Sequence, residues 1–211
     1  MLAKQHPLIR RKIRRWISKF TLIIIVFSTY CYIYAAKIEP NWIEVVPIQL
    51  TIPNLSKDFE DFKIVQIADI HVSKFMPEQR LTKIIRLVNQ QQPDAIAITG
   101  DLITQNSRFD ADQLRQNLSQ LQSKSGIFAV LGNHDHWGEM IALLKQVLVE
   151  SNIINLDNQV YLVERGEQKL ALAGIDDPYW GHPDLPKTIA QLPIGHKLRK
   201  LEKSQEKNQI M

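Results

Sequence analysis

Apolar and polar positions change rhythm along the chain, and each rhythm predicts a different element. Phe20 to Ala36 (FTLIIIVFSTYCYIYAA) is a 17-residue run without a charge, at the short end of the roughly 17–25 residues that span a bilayer. Ile43 to Ile52 is Val- and Ile-rich and alternates loosely, with Pro47 and Pro53 as punctuation, the pattern of an edge strand. Phe62 to Ala68 (FKIVQIA) reads as a strand of the buried type. Pro77 then opens a helix to about Gln91, with Leu81, Ile84, Ile85 and Val88 at helical spacing.

Pro93 stops that helix, and Asp94 to Thr99 (DAIAIT) is a second strand. A helix from Asp110 to Gln122, a strand from Ile127 to Leu131 and a helix from Glu139 to Glu150 follow. This alternation has a period of about 30–35 residues, the length of a strand–helix–strand unit, so a parallel sheet covered by helices is expected. Gln159 to Arg165 and Lys169 to Gly174 then predict a hairpin turning at Gly166. Beyond Asp176 come four prolines up to Pro193, and no core-forming pattern remains after Leu198.

Charge sharpens the reading of the first segment. Residues 1–19 carry seven Lys/Arg and no acid, ending at Lys19, and Lys37 bounds the other side of the run. Trp16, Tyr30, Tyr32, Tyr34 and Trp42 sit near the margins, where amphipathic rings collect. The basic end is expected in the cytoplasm and the body on the outer side. A cleaved secretory signal has the same charge order but wants small residues before the cut, which Tyr34-Ala35-Ala36 fits poorly. An uncleaved single-pass anchor over 20–36 is the expectation.

Residues 196–211 carry five bases and two acids, and the stretch between the two tails has 14 bases and 20 acids, within a total of +4. The folded body is therefore mildly acidic, which argues against a nucleic-acid partner. Cys31 is the one cysteine and excludes an internal disulfide or a cysteine-based zinc site.

The candidate chemistry lies where the three strands end. The first ends in Asp69-Ile70-His71, the second in Gly100-Asp101, the third in Gly132-Asn133-His134-Asp135. Ligands of open α/β sheets bind beyond the carboxyl ends of strands, so these turns should converge. Gly100 and Gly132 allow close backbone approach. Carboxylate, imidazole and amide oxygen together suit borderline divalent ions such as Mn, Fe or Zn. Each motif alone also reads as a capped turn; the set, at equivalent strand ends, points to a metal site.

These motifs, with the wider text IVQIADIH, PDAIAITGDLI, GIFAVLGNHDHW and LALAGIDDP, resemble the calcineurin-like metallophosphoesterases, in their membrane-linked bacterial branch. The resemblance implies a metallophosphoesterase-type β-sandwich flanked by helices over residues 43–195, after the basic N-terminus (1–19) and the anchor (20–36) and before a charged tail (196–211). It implies two divalent ions: Asp69 and His71 on one, Asp101 bridging, Asn133 on the second. His134 would contact the phosphate and protonate the leaving oxygen, and Asp135 would orient His134. The implied activity is hydrolysis of phosphate mono- or diesters, from a small-molecule or lipid substrate, by a water activated between the two ions.

The sequence departs from that pattern downstream. The family continues with an isolated histidine and a Gly-His-x-His motif, whereas here Gly181-His182-Pro183-Asp184 and Gly195-His196-Lys197-Leu198 lack the second histidine. The expectation is a fold cut short before its last ligands, with an incomplete second sheet, no tight two-ion site and a single ion held weakly. The alternative function is then an impaired remnant acting as a membrane-tethered binding module. His136, Asp176, Asp177 and His182 read as loop or capping residues near the site.

Overall fold

The computed structural model describes residues 6–73, 76, 78–105, 108–138 and 140–193, in two compact units, 1–48 and 49–211. The expected tail 196–211, with His196, and the helix-opening Pro77 lie outside the described residues.

The first unit is built on α1 (His6–Ile33), followed by a π-helical turn over Tyr34–Ile38 and a 3₁₀ turn over Glu39–Asn41. The helical stretch Ile9–Asn41 is long and apolar enough to cross a membrane, and none of its most apolar window is buried. Ile43 to Ile52 is not a strand: Ile48 and Leu50 are both 77% exposed and the segment has no ladder partner among the described residues. Pro47 and Pro53 each remove an amide donor, which leaves the run poorly equipped for pairing.

In the second unit, β1 (Ile64–Ile67), β2 (Ala95–Thr99), β3 (Ile127–Val130) and β4 (Ile153–Asn155) form one parallel sheet in chain order. The register sets Ile64 against Ala95, Ile96 against Ile127, and Ile127 against Ile153. β1 is an edge strand with alternate residues exposed rather than a fully buried one. Between the strands run α2 (Glu78–Gln90), α3 (Ala111–Leu118) and α4 (Met140–Glu150). Asp110 caps α3 by accepting the Gln113 amide at 2.9 Å. That helix stops at Leu118, short of Gln122, because the Gln120 and Leu121 amides bond carbonyls three residues back and tighten the chain into a turn.

Alternation along the strands sorts two cores. Ile96 and Ile98 of β2 and Ile127 and Ala129 of β3 face Leu81 and Ile85 of α2, Leu114 and Leu118 of α3, and Leu144 and Leu148 of α4. Phe128 of β3 and Ala95 of β2 face the other way, toward Phe59, Leu156 and Val163. Val163 belongs to the antiparallel hairpin β5 (Gln159–Arg165) and β6 (Gln168–Gly174). The layers are thus helices, parallel sheet and hairpin, an α/β arrangement with helices on one face and a small second sheet on the other. A short helix, α5 (Leu185–Ala190), follows with Asp184 as its cap.

The amino ends of the strands are tied by Asp94. Its carboxylate accepts the Lys63 amide at 2.8 Å, Lys124 Nζ at 3.0 Å and Arg165 Nη2 at 2.6 Å. The Arg165 guanidinium also lies 5.0 Å from the Phe62 ring centre. One buried carboxylate therefore joins β1, the loop before β3 and the hairpin. The opposite, carboxyl ends of the strands are left to form a site.

Candidate active site

Beyond β1 and β2 the two chains stay side by side after the regular ladder ends. The Asp69 amide donates to Gly100 O at 3.2 Å, His71 N to Asp101 O at 3.0 Å, and Val72 N to Leu102 O at 2.8 Å. The backbone kinks within this pairing: φ is +52° at Asp69, +53° at His71, +91° at Gly100 and +53° at Asp101. Left-handed backbone costs a non-glycine residue on the order of 1–2 kcal/mol. Strain of this kind concentrates at functional positions. Between the two kinks Ile70 is buried, as is Val72 beyond them, so the turn is anchored by apolar side chains while Asp69 and His71 remain accessible.

The result is convergence. Asp69, His71 and Asp101 offer donor atoms that all lie within 4.8 Å of one another. His71 Nε2 is 3.9 Å from Asp69 Oδ1 and 3.8 Å from Asp101 Oδ2. Asp101 Oδ1 accepts the His134 amide at 3.0 Å. The His134 and His71 rings stand edge to face with centres 4.8 Å apart. Asn133 is half-buried in the same turn. Two carboxylates and an imidazole at this spacing are a donor set that fits a borderline divalent cation.

Gly132 permits this closeness. A Cβ there would strike Asp101 Oδ1 and fall 2.5 Å from the Asp101 amide nitrogen.

Asp135 sits under the site, fully buried. Its carboxylate accepts backbone amides from Leu102 at 3.2 Å, Ile103 at 2.9 Å and Gly132 at 2.9 Å. Burial pushes this carboxyl above the ordinary aspartate range; the three amides pull the other way, and nearby Asp101 adds to the rise. Asp135 was expected to orient His134, but its bonds go to main chain, and the donor at His134 Nδ1 is the Gln105 amide at 3.3 Å. Gln105 escaped the sequence reading because a main-chain amide carries no residue-type signal.

His136, Asp176, Asp177 and His182 form contacts among themselves and with neighbouring backbone amides. His136 Nε2 lies 2.7 Å from Asp176 Oδ1. Asp177 Oδ2 accepts the Tyr179 and Trp180 amides, a capping role, and the His182 amide donates to Asp176 Oδ2 at 2.8 Å. Burial pushes the Asp176 carboxyl up, but the His182 and Asp177 amides and the neighbouring His136 outweigh it and hold it below the usual range.

Carboxylates and imidazoles that could hold a metal ion thus gather beyond the carboxyl ends of a parallel sheet, where open α/β sheets bind their ligands. The calcineurin-like phosphoesterase family model matches residues 62–205, and the chain belongs to that family. Among curated relatives, the metallophosphoesterase YkuE of Bacillus subtilis (strain 168) is 29% identical over 76% of this chain and 57% of its own length. Phosphodiesterase YaeI of Escherichia coli (strain K12) is 28% identical over 85% of this chain and 66% of its own. UDP-2,3-diacylglucosamine pyrophosphatase LpxG of Chlamydia muridarum (strain MoPn / Nigg) is 32% identical over 54% of this chain and 34% of its own. The chain thus spans 57% of YkuE and a smaller share of LpxG.

Proposed function

We propose that this chain hydrolyses phosphate mono- or diesters at the Asp69–His71–Asp101 turns. The observation that carries the reading is the meeting of those three donors within 4.8 Å on left-handed backbone, with the His134 ring beside them. Asp69 and His71 would hold one divalent ion, Asp101 would bridge to a second, and Asn133 would complete the second from the same turn as His134. Bound ions of this class polarise phosphoryl oxygens and lower the pKa of water.

The chain's own residues supply the rest. The Gln105 amide donates to His134 Nδ1, so a neutral His134 ring carries its proton on Nε2. That N–H is the group to contact a phosphoryl oxygen and to pass a proton to the leaving oxygen. Asp135 acts on His134 at one remove: by holding the Leu102 and Ile103 amides it fixes the loop that presents Gln105. It is a positioning residue.

The substrate reading draws on relatives named as a phosphodiesterase and as a diacylglucosamine pyrophosphatase. With a helix able to cross a membrane in the same chain, an amphiphilic phosphoester is the substrate class we favour. The basic end of that helix would face the cytoplasm and the domain the outer side.

The test is hydrolysis of bis-p-nitrophenyl phosphate by the full chain in Mn²⁺, with Asp101→Asn as control. Turnover that EDTA abolishes and the variant lacks supports the reading. A folded wild-type chain with no turnover sinks it and leaves a membrane-tethered binding module.

A further inference from the structure

We propose that His136, Asp157 and Asp176 form a second, separate cation site for a borderline divalent ion such as Zn²⁺ or Co²⁺. It is independent of the reading above. The three residues arrive from different elements: His136 from the turn after β3, Asp157 from just past β4, Asp176 from just past β6. Their donor atoms all lie within 4.8 Å of one another, the same span that groups Asp69, His71 and Asp101.

A second observation points to a missing partner. His136 is 8% exposed at its side chain, and its Nε2 has no hydrogen-bond partner. The nitrogen is 2.7 Å from Asp176 Oδ1, an ion pair when the ring is protonated and the two atoms an ion would bridge when it is neutral. A buried imidazole nitrogen left this way is the side of a ring that a metal ion takes.

The carboxylates are held as ligands are held. Asp157 Oδ1 accepts the Leu131 amide at 3.0 Å and its Oδ2 accepts Asn155 Nδ2 at 2.9 Å. Asp176 Oδ1 accepts the Asp177 amide at 2.9 Å and Oδ2 the His182 amide at 2.8 Å. One such bond per oxygen fixes orientation and leaves a lone pair on each. The imidazole nitrogen suits a borderline ion such as Zn or Fe better than Mg or Ca, which favour all-oxygen shells.

Lys145 marks where positive charge is drawn. Its ammonium is 3.5 Å from Asp157 Oδ2, on a half-exposed and flexible stem. It is a cation that a metal ion displaces. An ion at this place ties the turn bearing His134 to the ends of β4 and β6.

The experiment is Co²⁺ titration of the full chain in detergent, read by visible absorption and by metal analysis after desalting. The Asp101→Asn chain, with its other site disabled, is expected to keep about one Co²⁺, and adding His136→Gln weakens that ion by about tenfold or more. Lys145→Met in the Asp101→Asn background tightens it, a gain that no folding defect imitates. Loss of all Co²⁺ in Asp101→Asn overturns the proposal, as does an affinity unchanged by both His136→Gln and Lys145→Met.

Discussion

Gly132 is packed so tightly on Asp101 that a Cβ built on it would strike the Asp101 carboxylate and lie 2.5 Å from the Asp101 amide nitrogen. The two residues belong to turns after different strands, so this contact sets how close the turns come. It also fixes Asp101, whose Oδ1 takes the His134 amide. Gly132→Ala is therefore expected to cost about 1–3 kcal/mol of stability by overpacking and to push Asp101 out of line. Hydrolysis of bis-p-nitrophenyl phosphate should fall at least about a hundredfold, since a displacement near 1 Å costs that much.

Asp135 makes a different prediction, because it holds amides instead of a substrate. Asp135→Ala strands three N–H groups, two buried (Leu102 and Ile103) and one part-buried (Gly132). Each buried donor left unpaired costs roughly 1–3 kcal/mol, so the thermal midpoint should drop by several degrees or more. A variant as stable as the wild type would contradict the assignment of those bonds.

His134 should separate chemistry from folding. His134→Gln keeps the backbone N–H that bonds Asp101 and removes the proton carrier. Turnover is expected to fall by about 10²–10⁴, while Mn²⁺ affinity and thermal midpoint stay near wild type. Loss of Mn²⁺ binding together with activity would assign His134 to ligation instead.

Asp94 supplies a pH test far from the site. Burial raises its pKa, but the Lys63 amide and the Lys124 and Arg165 cations outweigh burial and leave it below the ordinary value. A carboxyl depressed in the folded state contributes stability above its unfolded pKa of about 3.9, lost as pH falls through the folded value. Asp94→Asn should therefore cost about 2 kcal/mol at pH 7. Its gap to the wild type should shrink in melting curves taken below about pH 4. A gap that stays constant with pH would contradict the ion-pair account.

Much of this architecture is legible in the sequence because the strands and helices have strong periods. Ile96 and Ile98 on one face of β2, and Leu81, Ile85 and Val88 on one stripe of α2, announce a covered parallel sheet. β4 was not legible: Ile153 to Asn155 is three residues long, too short for a period to show. The Ile43–Ile52 run misled because its composition is strand-like while its pairing partners are absent among the described residues. At the site, residue types pointed to Asp69, His71 and Asp101, whose donor atoms the structure brings within 4.8 Å. Asp135 was singled out, but that it holds the Leu102 and Ile103 amides, and that the Gln105 amide reaches His134 Nδ1, was not legible because these contacts run through backbone N–H groups. His136 and Asp176 were read as loop or capping residues and Asp157 was not singled out; that the three meet was not legible, since they come from three separate elements and only folding gathers them.

The most direct test is Mn-edge anomalous diffraction from crystals of the chain grown with Mn²⁺. The account predicts a peak in contact with Asp69, His71 and Asp101, lost in Asp101→Asn crystals. Well-ordered Asp69, His71 and Asp101 side chains at saturating Mn²⁺ with no peak between them would contradict it.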